Sequence, residues 1–207
     1  MNDMFRPDGP VIRFLTRLCD LILLNLLFLV TFVTVVLSGA AVTALYAQTL
    51  KMVRREESSI VKGYFRALKE SFLASTPATL LLFLDALLVG LIRYALHADT
   101  LVMTPALFVL LVILTLLLTA FLSWLFPLIA RFENSFSGSC RNALRLALAN
   151  LPTSFLLTFV NLLPLLSLRW FPGAVSGLLC FWLLIGLAAG SYGNAWYLRR
   201  CFDGQEN

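Results

Sequence analysis

Charged residues are scarce in this sequence: Asp, Glu, Lys and Arg make up 13% of its 207 residues, and hydrophobic residues make up 60%. An ordinary soluble domain carries about 25% charged residues, so this composition excludes a water-soluble fold. The net charge of +5 is expected to set an orientation in a membrane, and no nucleic-acid partner is expected. The lipid bilayer is therefore the first partner that the sequence predicts.

Residues that carry catalysis or bind metals are also few. The chain has one histidine, His97, and four cysteines that form no C-x-x-C pair: Cys19, Cys140, Cys180 and Cys201. This scatter predicts neither a zinc site nor a disulfide framework. The sequence also lacks a G-x-S-x-G elbow, an H-E-x-x-H helix and a phosphate-binding loop. We expect no cofactor, no metal and no enzymatic activity.

Long apolar runs are what the sequence has instead. A helical run of about 20 residues crosses roughly 30 Å of hydrocarbon, whereas barrel strands would alternate polar and apolar residues. The sequence thus predicts one all-α domain over residues 1–207, a polytopic transmembrane helix bundle. Five spans are expected, at about residues 21–46, 72–96, 104–130, 152–169 and 173–197.

The basic residues predict how these spans are oriented. Eleven of the sixteen lie in residues 47–71, residues 131–151 and the tail after Trp196, which an odd number of spans places on one face. By the positive-inside rule that face is cytoplasmic. This orientation leaves the N-terminus outside and the C-terminus in the cytoplasm.

The first span has two unusual features. Three basic residues precede it on the predicted outer face: Arg6, Arg13 and Arg17. Residues 10–20 could instead be an interfacial helix that leads into a span broken at Gly39. A single crossing at 21–46 is preferred, because two halves of about a dozen residues are each too short to span the bilayer. The small residues at 38–41 predict close packing against another helix.

Two segments on the predicted cytoplasmic face are amphipathic. Residues 60–72 and 138–150 both place apolar and basic side chains on different sides of a helix. Pro77 and Pro152 follow them at equivalent positions, each expected in the first turn of a span, which predicts two related units in parallel orientation. Both segments could bind anionic lipid or a groove on a partner protein. The candidate docking residues are Tyr64, Phe65, Arg66, Lys69, Phe72, Arg141 and Arg145.

An ionisable side chain is predicted inside the membrane. Asp85 lies near the middle of the second span, where an acid costs about 3 kcal/mol on insertion scales and usually faces the bundle interior. Asn161 is expected at a similar depth in the fourth span, where its amide could hydrogen-bond the carboxyl group. Asp85 could carry a proton or cation along a translocation path. Alternatively, its carboxyl group, protonated or bridged to Asn161 or to a serine or threonine hydroxyl, could hold helices together. The sequence leaves both roles open.

Four stretches resemble one family: "RFLTRLCDLILLNLLFL", "GAAVTALYAQTLKMVRREES", "GYFRALKESFLAS" and "ARFENSFSGSCRNALRLALANLPTSFL". Together they are similar to the YesL family of bacterial integral membrane proteins, over nearly the whole chain. The resemblance implies a small helical protein of the bacterial inner membrane that accompanies carbohydrate uptake systems. It implies no catalytic or ligand-binding residue.

Two functions follow as expectations. The first is an accessory or scaffold component, associated with carbohydrate uptake, whose cytoplasmic helices dock a membrane transporter. The second is a small solute or ion transporter or channel that uses Asp85 and Asn161. Five spans could need a homo-oligomer to enclose a path. The few polar groups within the spans favour the first function, and the buried acid favours the second.

Overall fold

The computed structural model describes residues 10–56, 59–97, 104–132 and 135–203. These residues are almost entirely helical and include no strand, so the predicted all-α class is confirmed. Arg6 lies outside the described residues, as do the side chains of His97, Arg169 and Arg200. The helices in chain order are α1 (Pro10–Phe32), α2 (Ser38–Arg54), α3 (Ile60–His97), α4 (Pro105–Arg131), α5 (Phe136–Ala149), α6 (Leu151–Trp170), α7 (Val175–Phe181) and α8 (Leu187–Asp203).

Most of these helices are long and apolar. Within the described residues, five segments have the length and composition to cross a membrane: Val11–Phe32, Val35–Arg54, Ile60–Leu96, Pro105–Arg131 and Val175–Arg199. The pair α5 and α6 is a sixth candidate, bent by 107° at the junction of the two helices. Backbone groups in hydrocarbon must be satisfied within the chain, which helices do. The chain is a multi-pass membrane protein.

The first predicted span is not continuous. α1 ends at Phe32, a 3-10 turn covers Val35–Leu37, and α2 follows, so the prediction of one helix over 21–46 is wrong. The run "TFVTVV" before the turn is rich in β-branched residues, which disfavour helix. The Thr34 hydroxyl also donates to the Thr31 carbonyl at 2.6 Å. The break therefore precedes Gly39 and divides the predicted span into two helices, each long and apolar enough to cross a membrane.

α2 lies at the centre of the bundle. It contacts α1, α3, α4 and α8, and most of its residues are buried. A Cβ added at Gly39 would meet the Thr79 hydroxyl and would lie 2.9 Å from the Ser75 carbonyl oxygen, both on α3. The close helix packing predicted for residues 38–41 is confirmed at this glycine.

α3 joins two segments that the sequence separated. The amphipathic segment 60–72 and the span 72–96 form one helix of 38 residues, with Pro77 inside it and not in its first turn. At about 1.5 Å per residue the helix is about 57 Å long, so it tilts or extends beyond the roughly 30 Å of hydrocarbon.

The second amphipathic segment forms a separate helix, α5, and meets α6 at the 107° bend. Ser154 fixes this bend. Its hydroxyl donates to the Ala147 carbonyl at 2.8 Å and accepts a hydrogen bond from the Trp124 indole at 2.8 Å. The two units that the sequence predicts as related therefore differ, because the first forms one continuous helix and the second is two helices joined at a bend.

Both ends of the described chain lie at the same end of the bundle. The N-terminal part of α1, the end of α2, the start of α3 and the C-terminal part of α8 surround one groove. Arg199 Nη1 donates to the Val53 carbonyl at 3.2 Å across it. The sequence predicts termini on opposite faces of the membrane, whereas the described ends of the chain lie on one side of the bundle, since α1 and α2 are two helices and not one. We name this the basic end, after Arg13, Arg17, Lys51, Arg54, Arg55 and Arg199.

Candidate functional site

A chain of hydrogen-bonded polar side chains crosses the interior of the bundle. Asn194 Nδ2 donates to the Tyr46 hydroxyl at 3.2 Å and to Asn161 Oδ1 at 3.0 Å. Asn161 Nδ2 donates to the Ser123 hydroxyl at 2.8 Å, and that hydroxyl donates to the Thr119 carbonyl at 2.6 Å. These bonds connect α2, α8, α6 and α4 through groups that would otherwise be costly to bury.

Asp85 forms the far end of this polar chain. The Thr119 hydroxyl donates to its carboxylate, with oxygen–oxygen distances of 3.1 and 3.2 Å. The direct hydrogen bond predicted between Asp85 and Asn161 is not formed, which corrects that prediction. α4 supplies the partner of each residue, Thr119 to the acid and Ser123 to the amide. The two predicted residues are thus linked indirectly, through one helix.

A cavity of about 640 Å³ lies beside the polar chain. Its walls come from α1, α2, α3, α4, α6 and the start of α8, and most of the lining residues are apolar. The polar side chains that line it are Tyr46, Asp85, Arg93, Thr119, Ser123, Asn161 and Ser191. Apolar walls with a few convergent polar groups, at this volume, are typical of sites for small ligands. The arrangement can bind a small solute next to a carboxylate.

Sequence reasoning missed the polar residues of α4. Thr115, Thr119 and Ser123 are spaced four residues apart and all are buried. Side chains at this spacing lie on one face of a helix. The signal was present in "ILTLLLTAFLSWLF" as a regular polar stripe in an apolar run. It could have identified the face of α4 that meets Asp85.

The predicted docking residues of α3 divide between core and surface. Tyr64 is fully buried, and its hydroxyl lies 2.6 Å from that of Thr31. This corrects the prediction that placed Tyr64 on a docking face. Gly63 packs against the amide of Gln48, which fixes the same turn. The predicted residues that remain accessible are Phe65, Arg66, Lys69 and, half-buried, Phe72.

α5 presents a second accessible face at the basic end. Ala143 and Leu146 are buried against the bundle, whereas Leu144 and Leu148 are exposed on the other side. The predicted docking residues Arg141 and Arg145 are both exposed. The amphipathic pattern of this segment therefore gives a helix with a buried face that includes Ala143 and Leu146, and an exposed surface that mixes basic and apolar side chains.

Comparison with known families covers the first part of the chain. Residues 21–94 match the model of a family described as "Protein of unknown function, DUF624". The match includes the end of α1, all of α2 and most of α3, and hence Gly39, Phe65 and Asp85. No curated protein and no solved structure matches the chain.

Proposed function

We propose that this chain is an accessory or scaffold component of a bacterial inner membrane, associated with carbohydrate uptake, that docks a membrane transporter. Residues 21–94 match a family associated with YesL-like membrane proteins, and the wider resemblance of the chain to the YesL family supports membership. The link to carbohydrate uptake rests on that resemblance alone. The docking role rests on an observation at α3.

That observation is an exposed aromatic side chain on a firmly held helix. Phe65 is 48% exposed, beside the exposed basic residues Arg66 and Lys69. The same turn is fixed to the bundle, because the neighbouring Tyr64 is buried and its hydroxyl is hydrogen-bonded to that of Thr31. Aromatic anchors on a pre-organised surface are typical of protein interfaces. We expect a partner that offers an apolar pocket with acidic residues around it.

The proposed orientation places the basic end in the cytoplasm. If residues 21–46 formed a single span, Arg13 and Arg17 would lie on the outer face, against the positive-inside rule. With both described ends of the chain at the basic end, these two residues agree with the rule. The docking surface and the exposed face of α5 then lie on the cytoplasmic side, where a transporter's ATPase or cytoplasmic loops are accessible.

Neighbouring substitutions on α3 test the docking role. Phe65→Ala is expected to reduce capture of a transporter subunit at least tenfold, with an unchanged thermal midpoint, because the ring is exposed. Tyr64→Phe is the matched control: it loses one buried hydrogen bond, about 1 kcal/mol, and should lower the midpoint without affecting capture. The measurement is mild-detergent extraction with quantitative mass spectrometry. Equal capture by wild type and Phe65→Ala would contradict the proposal.

The cavity beside the polar chain supports a second candidate function, transport of a small solute or ion. The observation that supports this function is the Asp85 carboxylate, which lies at the cavity wall and accepts a hydrogen bond from Thr119. A carboxylate in this position can accept a proton or pair with a cation, and such residues mark ion pathways in many transporters.

Asp85→Asn tests this second candidate. The amide oxygen can still accept the Thr119 hydrogen bond, so the folded protein should keep its thermal midpoint while it loses the ionisable group. In proteoliposomes with an internal pH-sensitive dye, wild-type protein should carry a proton flux that the variant reduces at least tenfold. Inert wild-type protein, or equal flux from both proteins, rules this candidate out and leaves the docking role unaffected.

A further inference from the structure

A second concavity lies at the basic end and shares no lining residue with the cavity beside the polar chain. It has a volume of about 1010 Å³. Its walls are the N-terminal part of α1, the end of α2 with Arg55 and Glu56, the start of α3 with Ser59, and the C-terminal part of α8. Four arginines line it: Arg13, Arg17, Arg55 and Arg199. We name it the arginine groove.

The arginine groove carries an excess of positive charge. Among the described residues of its lining, the acidic ones are Asp20 and Glu56. Glu56 Oε1 lies 3.7 Å from Nη1 of Arg54, which is outside the lining. Within the described part of the chain, no carboxylate forms a salt bridge with Arg17 or Arg55. The lining therefore keeps guanidinium groups that are available to an anion.

Three helices fix the arginines around the groove. Arg13 and Arg17 are four residues apart on α1 and so lie on the same face. Arg55 follows α2 as its capping residue in the left-handed conformation, with φ 60°, and its backbone N–H donates to the Met52 carbonyl at 3.2 Å. Arg199 is held by its hydrogen bond to the Val53 carbonyl. The charges converge from separate parts of the chain, as expected of a binding site and not of a local charge run.

We propose that the arginine groove binds the phosphate group of an anionic ligand. Guanidinium groups form bidentate, charge-assisted hydrogen bonds with phosphate oxygens. The hydroxyl of Ser59 in the lining adds a donor, and Trp196 adds an amphipathic ring. The volume accommodates a lipid headgroup or a soluble phosphate ester. Basic pockets between membrane helices bind anionic headgroups by the same chemistry.

The first experiment identifies the source of the phosphate. Full-length protein in a nonionic detergent is titrated with phosphatidylglycerol, phosphatidylcholine, glucose 6-phosphate and glucose, and binding is followed by native mass spectrometry. Saturable binding of phosphatidylglycerol alone assigns a lipid headgroup, and binding of glucose 6-phosphate assigns a soluble ester. Either result supports the proposal. If neither anionic probe binds more tightly than its neutral counterpart, the proposal is overturned.

Substitutions then separate a site from diffuse surface charge. Arg55→Gly removes one guanidinium and places the favoured residue at a left-handed position, so its thermal midpoint should not fall. It should weaken binding of the anionic probe at least fivefold, as should Arg17→Gln. Lys62→Gln is the control, since Lys62 is exposed on α3 near the groove but outside its lining, and it should change affinity less than twofold. Equal weakening by all three variants would overturn the proposal.

Discussion

Gly39 and Gly193 are both helical glycines in opposite surroundings. An added Cβ at Gly39 would lie 2.9 Å from the Ser75 carbonyl oxygen, a backbone atom that cannot move without α3. The same atom at Gly193 would meet nothing within 4 Å. Close approach of α2 and α3 therefore depends on the first glycine, and nothing in the described packing depends on the second.

Substitution by alanine is predicted to change the free energy of unfolding in opposite directions at these two glycines. Gly39→Ala should lower the free energy of unfolding by about 1–3 kcal/mol, because α2 and α3 must separate. Gly193→Ala should raise it by about 0.5–1 kcal/mol, because alanine favours helix. Thermal unfolding in detergent measures both. A gain in stability at both positions would show that the α2–α3 contact tolerates a methyl group.

Residue types indicated which groups are buried, but not which groups meet. The small residues around Gly39 predicted close packing, and Asp85 was expected to find a polar partner. That partner is Thr119, because helix rotation turns the α4 stripe toward α3. The sequence placed Asp85 and Asn161 at similar depth in two spans, but depth gives no information about how each helix is rotated about its own axis. Tyr64 illustrates the same limit. The pattern of residues 60–72 correctly put it on an apolar face, but did not reveal that at Tyr64 this face packs against Thr31 and the core.

Among the elements, the last span contains an irregular turn that α1 stabilises. Residues Trp182–Gly186 form a π-helical turn between α7 and α8. Asn25 is fully buried, and its Nδ2 donates to the Leu183 carbonyl at 2.7 Å, while its Oδ1 accepts from the Ala188 N–H at 2.9 Å. Backbone groups at a change of helical register are satisfied by this one side chain.

Asn25→Leu should therefore destabilise the last span. It leaves the Leu183 carbonyl and the Ala188 N–H without their partner, at about 1–3 kcal/mol for each buried group. The thermal midpoint should fall, and amide exchange should accelerate most at Ala188. Asn142→Leu on α5 is the control, because the Asn142 side chain forms no hydrogen bond within the described residues. Equal effects of the two substitutions would exclude a specific role for Asn25.

Element positions were more predictable than element continuity. Apolar runs located α4 and the span that contains α7 and α8 to within a few residues. They did not reveal that 60–72 continues into the next span, because Pro77 suggested a helix start. The break before Ser38 was missed because the length of 21–46 suited one crossing. The local signal, β-branched residues in "TFVTVV", is weaker than the hydropathy of the whole run.

For the whole molecule, the shared location of both described ends predicts an even number of crossings. Reporter fusions at the N-terminus and at the C-terminus should both be cytoplasmic in the proposed orientation. A reporter inserted between α3 and α4 should be exposed on the opposite face and is the internal control. If the N-terminal reporter lies outside the cell and the C-terminal reporter lies in the cytoplasm, the number of membrane crossings is odd, as the sequence predicts.

The short turn between α1 and α2 has a consequence for biosynthesis. In the proposed orientation the two helices enter the bilayer as a hairpin, with Val35–Leu37 as its leading edge. Arg13 and Arg17 then never have to be translocated, which avoids about 2.5–3.5 kcal/mol for each charge at the membrane centre. The central helix of the finished bundle, α2, thus arrives already paired with α1, and each later helix is added around this hairpin.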